Sequence, residues 1–147
     1  MLFNKKLNVF VSVILALIVG GLSSSNTSAD LWYQGLVKSD LNPPGYVFGI
    51  VWPILYLLMS ISAYRNLDSI AKIFLIQLFF NTIWSWLFFF YHLPFIALLD
   101  IWLLIFLIIN ILIVLGKKDK LAMILYIPYV IWLLFASYLN IFIVINN

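Results

Sequence analysis

The sequence predicts an all-α integral membrane protein built as a bundle of five transmembrane helices. Hydrophobic residues make up 66% of the 147-residue chain and charged residues only 9%, whereas soluble proteins carry roughly 25% charged residues. Five apolar runs are each close to the roughly 20 residues that a helix needs to cross a bilayer. None of the runs alternates as barrel strands do, and lipid offers backbone amides no partner, so we expect helices.

Short polar breaks separate the later runs, whereas one long connection follows the first. The short breaks contain the stretches RNLD, HLP and GKKDK. The long connection ends at two prolines and a glycine, which seat the second helix. We predict a single membrane domain over residues 1–147, with helices at about 5–23, 44–65, 69–91, 94–116 and 120–145 and a long loop at 24–43.

The first apolar run also has features of a secretory signal peptide. Two lysines precede it, and the small-residue stretch SSSNTSA, ending at Ala29, follows it. Cleavage after Ala29 is therefore an alternative to a retained helix. The apolar core of about 16 residues is long for a signal peptide. Ser12, Ala16 and Gly20 also form a small-residue stripe that suits helix packing. We therefore expect this helix to be retained.

Basic residues are distributed unequally between the two predicted sides of the membrane. Lys38 is the only one expected on the side of the long loop. Since basic residues mark the cytoplasmic side, we predict a cytoplasmic N-terminus and an outer C-terminus, and we expect a bacterial cell membrane. This pattern accounts for the net charge of +3 without a nucleic-acid partner. The seven residues of the other side are Lys5, Lys6, Arg65, Lys72, Lys117, Lys118 and Lys120.

The composition excludes most catalytic and metal chemistry. The chain has no Cys, no Glu and one histidine, His92, so it offers no thiolate, no clustered histidines and no Ser–His–acid set. We expect neither a metal site nor a cofactor. Asp100 lies inside the fourth predicted helix, where an ionisable group is costly. A structural and a functional role are both open for it.

Polar and aromatic side chains share faces of three predicted helices, because residues three and four apart lie on one side of a helix. Such stripes hold helices together or line a pocket, and aromatic residues near helix ends anchor them at the interface. Trp52 and Trp132 lie deeper, which favours a pocket for a flat apolar ligand, such as a porphyrin or a sterol. The stripes are Phe48, Trp52 and Tyr56 in the second helix, Gln77, Asn81 and Ser85 in the third, with Trp84 beside Asn81, and Tyr129, Trp132, Ala136 and Asn140 in the fifth.

Five ordered stretches of the sequence resemble the TspO/MBR family, the tryptophan-rich sensory proteins related to the mitochondrial translocator protein. The first predicted helix matches this family only in position and character. The stretches are WYQGL at 32–36, NPPGYVFGIVWPILY at 42–56, QLFFNTIWS at 77–85, ALLD ending at Asp100, and PYVIWLLFASYLN at 128–140.

The resemblance implies a receptor or carrier that binds porphyrins in a pocket beneath the first loop. Sterols and benzodiazepine-type compounds are other flat apolar ligands of this kind. Trp52 and Trp132 match the two tryptophans linked to porphyrin chemistry in bacterial relatives, so light-assisted porphyrin breakdown, with these two as catalytic residues, is an alternative. The expected ligand-binding residues are Trp32, Tyr33, Pro44, Phe48, Trp52, Tyr56, Asn81, Trp84, Trp132, Phe135, Ala136 and Leu139.

The sequence departs from the family pattern at three places. Residues 38–44 lack one proline and one tryptophan of the pattern KPxWxPP, so we expect a looser loop. After Ser137 and Tyr138 the chain ends in LNIFIVINN. This stretch contains neither the Tyr nor the terminal Arg that the animal cholesterol motif has after the asparagine of the fifth helix. The third helix lacks the small-residue spacing that is linked to dimers in bacterial relatives. A homodimer nevertheless stays open as an alternative.

A third interpretation of the sequence is a structural membrane protein, in which the polar and aromatic stripes only pack helices against one another.

Overall fold

The computed structural model describes residues 2–147, with side chains from Lys5 onward, and its regular structure in that part of the chain is entirely helical. Five of the helices, all except α2, are long and apolar enough to cross a membrane. The predicted all-α, five-span class is confirmed. The six α-helices are α1 (Leu2–Ser23), α2 (Leu31–Gly35), α3 (Gly45–Arg65), α4 (Leu67–Ser85), α5 (Pro94–Lys118) and α6 (Lys120–Asn146).

Local sequence explains where the helices around the long connection begin. The side chain of Asp30 accepts a hydrogen bond from the backbone N–H of Trp32 and caps α2, which adds a short helix where the sequence suggested only a loop. Pro43 and Pro44 disfavour helical backbone at the residue before each of them. Helix α3 therefore starts only at Gly45.

Helix α4 does not end at Ser85 but continues as a π-helical turn, Trp86–Phe90. The backbone N–H of Tyr91 closes this turn on the carbonyl of Trp86 at 2.9 Å. A π turn carries an extra residue relative to an α turn, so it shifts the aromatic side chains that follow. The chain then reverses through His92, whose φ of 55° is in the left-handed region, and α5 begins at Pro94.

The five long helices form a closed ring. Helix α1 packs between α3 and α4, α5 packs between α4 and α6, and α6 returns to α3. The outward faces are apolar: Phe106 is 62% exposed and Ile131 is 61% exposed. Such faces would be a liability in water but are the expected surface toward lipid.

The core is solid at one end of the bundle and partly open at the other, where a small second cluster of buried residues still packs between α5, α6 and the π turn. In α3 the buried residues begin at Leu55, and in α4 they end at Asn81. Met59, Ala63 and Phe74, in the solid half, are fully buried. The first three turns of α3 and the last turns of α1 and α4 thus leave space at the other end of the bundle.

The two ends of the bundle are held by different contacts. At the solid end, Arg65 Nε lies 2.8 Å from Asp119 Oδ2 and joins the α3–α4 and α5–α6 turns. At the opposite end, Asn147 exchanges hydrogen bonds with the backbone of Val37, at 2.8 and 3.1 Å. The C-terminus and the long connection therefore lie at the same end, opposite the basic turns.

Asp119 provides the first testable prediction. Hydrogen bonds from the Arg65 side chain, the Ala122 backbone N–H and the Asn66 amide hold the pKa of the Asp119 carboxyl below its usual range, which is about 3.9 in an unfolded chain. A carboxyl with a lowered pKa in the folded state stabilises the fold above its unfolded pKa and loses that contribution as the pH falls. We expect Asp119→Asn to lower the melting temperature at pH 7.

The difference between wild type and Asp119→Asn should narrow below about pH 4. The measurement is a melting curve of each protein in one detergent from pH 7 to pH 3. Asp68→Asn is the matched control, since Asp68 is an exposed carboxylate at the same end. A difference that stays constant across this range would contradict the ion-pair account.

Candidate functional site

A cavity of about 810 Å³ occupies the open half of the bundle. Its walls come from α1, α3, α4 and α6, and the long connection covers it through residues that include Tyr33, Lys38 and Pro44. The volume lies within the range of about 300–1,000 Å³ that is usual for small-molecule pockets. The open end of the bundle thus contains a partly enclosed space of ligand size.

The structure brings together nine of the twelve residues that the sequence analysis assigned to ligand binding. They come from four separate stretches of the chain and meet only because the ring closes α6 against α3. The nine that line the cavity are Tyr33, Pro44, Phe48, Trp52, Tyr56, Asn81, Trp84, Trp132 and Ala136.

The structure places Trp32 outside the lining of this cavity. Trp32 stacks on His92 with ring centroids 4.1 Å apart and meets Phe88 edge-on at 5.8 Å. Neighbouring residues of a helix project about 100° apart. When Tyr33 faces the cavity, Trp32 must therefore face the reversal between α4 and α5.

Phe135 and Leu139 also lie outside the cavity lining. Phe135 lies between two aromatic neighbours on α6: its ring is tilted against Trp132 with centroids 5.7 Å apart and stacks on Tyr138 at 6.4 Å. Leu139 lies one turn beyond Ala136 and is buried, with 7% exposure. Both side chains pack against protein rather than the open space.

A hydrogen-bonded triad forms the polar part of the cavity floor. The hydroxyl of Tyr56 donates to Asn81 Oδ1 at 2.5 Å, and Asn81 Nδ2 donates to the hydroxyl of Tyr129. All three side chains are buried, and Tyr56 and Asn81 line the cavity. One amide thereby joins α3, α4 and α6 and satisfies its own donor and acceptor inside the bundle.

Aromatic rings form one wall above this floor. Trp132 meets the edges of Phe48, at 5.7 Å, and Trp52, at 6.5 Å, with interplanar angles of 72° and 86°. Edge-to-face contacts of this kind are favourable and rigid. Trp52 also contacts Tyr129 at 6.4 Å, so the wall is continuous with the triad.

Comparison with known proteins identifies the family. The profile of the TspO/MBR family matches residues 9–145. The chain belongs to the TspO/MBR family. It is 36% identical to the tryptophan-rich protein TspO of Chlorobaculum tepidum, over 93% of this chain and 94% of the relative. It is 34% identical to the protein of the same name from Archaeoglobus fulgidus, over 96% and 97% of the two chains.

A third relative is the tryptophan-rich sensory protein of Cereibacter sphaeroides, which is 34% identical over 76% of this chain and 73% of the relative. Together with the family match, these names support a membrane receptor or sensor. The resemblance drawn from the five sequence stretches is confirmed. The chain is a multi-pass membrane protein of the TspO/MBR family.

Glycines are the part of the TspO/MBR cavity that sequence reasoning missed. Gly20, Gly45 and Gly49 line the cavity, and a Cβ added at any of them would meet no atom within 4 Å. Gly20, expected in a stripe of small residues that packs helices, accepts a hydrogen bond from Ser85 of α4 and also borders the cavity. Gly45 and Gly49 are four apart and share a face with Trp52, which is the signal that could have found them.

The other polar residues of the predicted stripes hold helices together. The Ser85 hydroxyl donates to the Gly20 carbonyl at 3.0 Å and joins α4 to α1. Asn140 Nδ2 donates to the Pro94 carbonyl at 2.7 Å and joins α6 to α5. Gln77 is fully buried beside Met59. Asp100 is buried in α5 and does not line the cavity.

The Asn81 triad generates a prediction about stability. Asn81→Leu removes the partner of both tyrosine hydroxyls, and a buried hydroxyl without a partner costs about 1–3 kcal/mol. The cost should arise mainly at Tyr129, which is 1% exposed, because Tyr56 faces the cavity and water can reach it there. We expect a melting temperature lower by several degrees, at about 2–4 °C per kcal/mol.

Adding Tyr129→Phe to Asn81→Leu should restore much of the lost stability, whereas adding Tyr56→Phe should restore less. Melting temperatures of the single and the two double variants in one detergent measure this. Equal recovery from both additions, or none from either, would show that the hydroxyl of Tyr129 does not carry the cost.

Proposed function

We propose that this protein binds porphyrins in the cavity beneath its first loop, as a membrane receptor or carrier. The observation that carries the proposal is a ligand-sized space with an aromatic wall, a polar group on its floor and further polar side chains near its opening. Pockets for small molecules combine mostly apolar walls with a few placed polar groups. A tetrapyrrole, with its flat apolar ring, fits that chemistry.

The walls suit a flat ligand in particular. Phe48, Trp52 and Trp132 already brace one another, so a ligand does not have to order them. Aromatic contact contributes about 0.5–1.5 kcal/mol per pair beyond the buried area. The glycines on α1 and α3 add width to the same cavity, because a side chain at these positions would extend into open space. Sterols and benzodiazepine-type compounds belong to the same proposal as further flat, apolar ligands.

Filling the cavity tests the proposal most directly. Gly49→Leu places a side chain where a Cβ meets no atom within 4 Å, and leucine favours a helix over glycine by roughly 1 kcal/mol. We expect the variant to melt no earlier than wild type but to bind porphyrin at least tenfold more weakly. The measurement is a porphyrin titration followed by absorbance and by quenching of tryptophan fluorescence, with melting curves in the same detergent.

Ile50→Phe is the matched control, because the neighbouring Ile50 is 57% exposed on the outer face of α3. It adds bulk on that face and should leave the titration unchanged. Unchanged porphyrin affinity in Gly49→Leu would place the ligand elsewhere and contradict the proposal.

Irradiation of the porphyrin complex separates binding from the alternative function, which is light-assisted porphyrin breakdown. A loss of the porphyrin absorbance band in light that requires Trp52 or Trp132 would favour breakdown.

We also propose that the end carrying Arg65 and Asp119 faces the cytoplasm and that the cavity opens outward. The support is the charge asymmetry, since basic residues favour the cytoplasmic side. Reporters fused after Asn147 and inserted beside Lys118 test the orientation, and each serves as the control for the other. We expect an outer signal at Asn147 and a cytoplasmic signal at Lys118. The reverse pattern would overturn the proposed orientation.

A further inference from the structure

One amide side chain lies on the outer face of the bundle, well inside the membrane span of α5. Asn110 is sixteen residues from Pro94, where α5 begins, and eight residues from Lys118, where it ends. At 1.5 Å per residue, these separations are about 24 Å and about 12 Å along the helix axis. Basic residues at the nearer end mark the membrane surface, so Asn110 lies in the hydrocarbon region.

The hydrogen-bonding capacity of Asn110 is only partly used. Its Nδ2 donates to the Phe106 carbonyl of its own helix at 2.7 Å, and the contacts found among residues 5–147 include no partner for its Oδ1. An amide side chain has two donor hydrogens and an acceptor oxygen. Lipid tails cannot satisfy the groups that remain, and an unpaired polar group in an apolar medium is costly. The other amides deep in the spans are buried inside the bundle, namely Gln77, Asn81 and Asn140.

Asn110 belongs to an exposed apolar seam along α5. The apolar members of this α5 seam are between 38% and 62% exposed. Intervals of four and three residues are the spacing with which one helix packs along another, and a single Asn in such a seam fixes the register and the number of chains. The α5 seam therefore suits a partner helix. Its members, at intervals of four, three, four and three residues, are Leu99, Leu103, Phe106, Asn110 and Ile113.

Helix α5 is also placed so that its outer face can be covered without blocking the cavity. Its inner face packs in the core, where Ile101 and Ile108 are fully buried. The cavity lining comes from α1, α3, α4, α6 and the long connection, and α5 contributes no residue to it. A partner on the α5 seam would thus leave the cavity and its covering connection free.

We infer that the α5 seam is an interface for a second copy of this chain, in which the two Asn110 side chains bond to each other. Two copies inserted in the same direction meet about a two-fold axis normal to the membrane, and each seam residue then lies opposite its own counterpart. An amide is self-complementary, because each Oδ1 can accept from the Nδ2 of the other copy. This surface is on a different helix from α4 and does not depend on the porphyrin site.

The dissociation constant of the dimer in lipid vesicles tests this inference. Two pools of the full-length protein, one with a donor and one with an acceptor fluorophore, are reconstituted together in phosphatidylcholine vesicles at a series of protein-to-lipid ratios. Energy transfer between them measures association. Asn110→Leu should raise the dissociation constant about tenfold, because two hydrogen bonds between membrane helices contribute on this order.

The chain offers a matched control at the other side of the bundle. Asn146 Nδ2 donates to the Phe142 carbonyl of its own helix at 2.7 Å, which is the bond that Asn110 forms, but Asn146 lies at the end of α6. Asn146→Leu should leave the dissociation constant unchanged. Both variants should melt like wild type in detergent, since neither amide bonds to another helix of its own chain.

Single cysteines locate the contact face while Asn110 is kept. The sequence contains no cysteine, so each introduced thiol can pair only with its counterpart in another copy. Ile113→Cys lies on the α5 seam and should form an intermolecular disulfide in the vesicles on mild oxidation. Phe79→Cys on α4 and Ile131→Cys on α6 should not, although both native side chains are 61% exposed.

Three results would overturn the inference. One is the absence of energy transfer at every protein-to-lipid ratio. A second is an unchanged dissociation constant in Asn110→Leu, because the amide would then take no part in the contact. The third is a dimer that cross-links through Phe79→Cys but not through Ile113→Cys, which would move the interface from α5 to α4.

Discussion

The bilayer's inability to hydrogen-bond a backbone is the constraint on which the rest of this structure depends. It requires each membrane segment to be a helix, and it moves ion pairs to the turns, where Arg65 meets Asp119 and Asp30 meets His92. Within the helices, a few buried polar atoms, Gln77 Oε1 and Trp132 Nε1 among them, have no hydrogen-bond partner in the described part of the chain, but other buried polar groups bond to one another. The amide of Asn81 is the main example, since its two tyrosine partners come from helices that precede and follow it in sequence.

The cavity owes part of its volume to small residues in the helices that surround it. At Gly20, Gly45 and Gly49 a Cβ would meet no atom within 4 Å. The helix α3 also contains Pro53, which lines the cavity and has no backbone N–H to donate. The aromatic side chains of the wall are in edge-to-face contact with one another, so these side chains are ordered although the space beside them is not filled.

Sequence patterns predicted the parts of this arrangement that depend on a single helix. Composition and run length were enough for five spans, and spacings of three and four placed Trp52, Asn81 and Trp132 on their inner faces. The patterns did not predict the features that depend on two elements at once. Trp32 stacks on His92 because the α4–α5 reversal brings that ring under α2. The stripes indicated a pocket but not its extent, because the space of about 810 Å³ depends on how α1, α3, α4, α6 and the long connection surround it.

The two ends of the bundle also differ in the partners of their basic side chains. At the solid end, Arg65 and Asp119 neutralise each other and join two turns. At the hollow end, Lys38 lies on Tyr33 at the cavity mouth without a carboxylate partner. A cation on an aromatic ring is stabilised by about 0.5–1 kcal/mol when exposed, which holds Lys38 in place but does not neutralise it. The basic side chains at the two ends of the bundle therefore differ in their partners: Arg65 is paired with a carboxylate, whereas Lys38 contacts an aromatic ring and a backbone carbonyl.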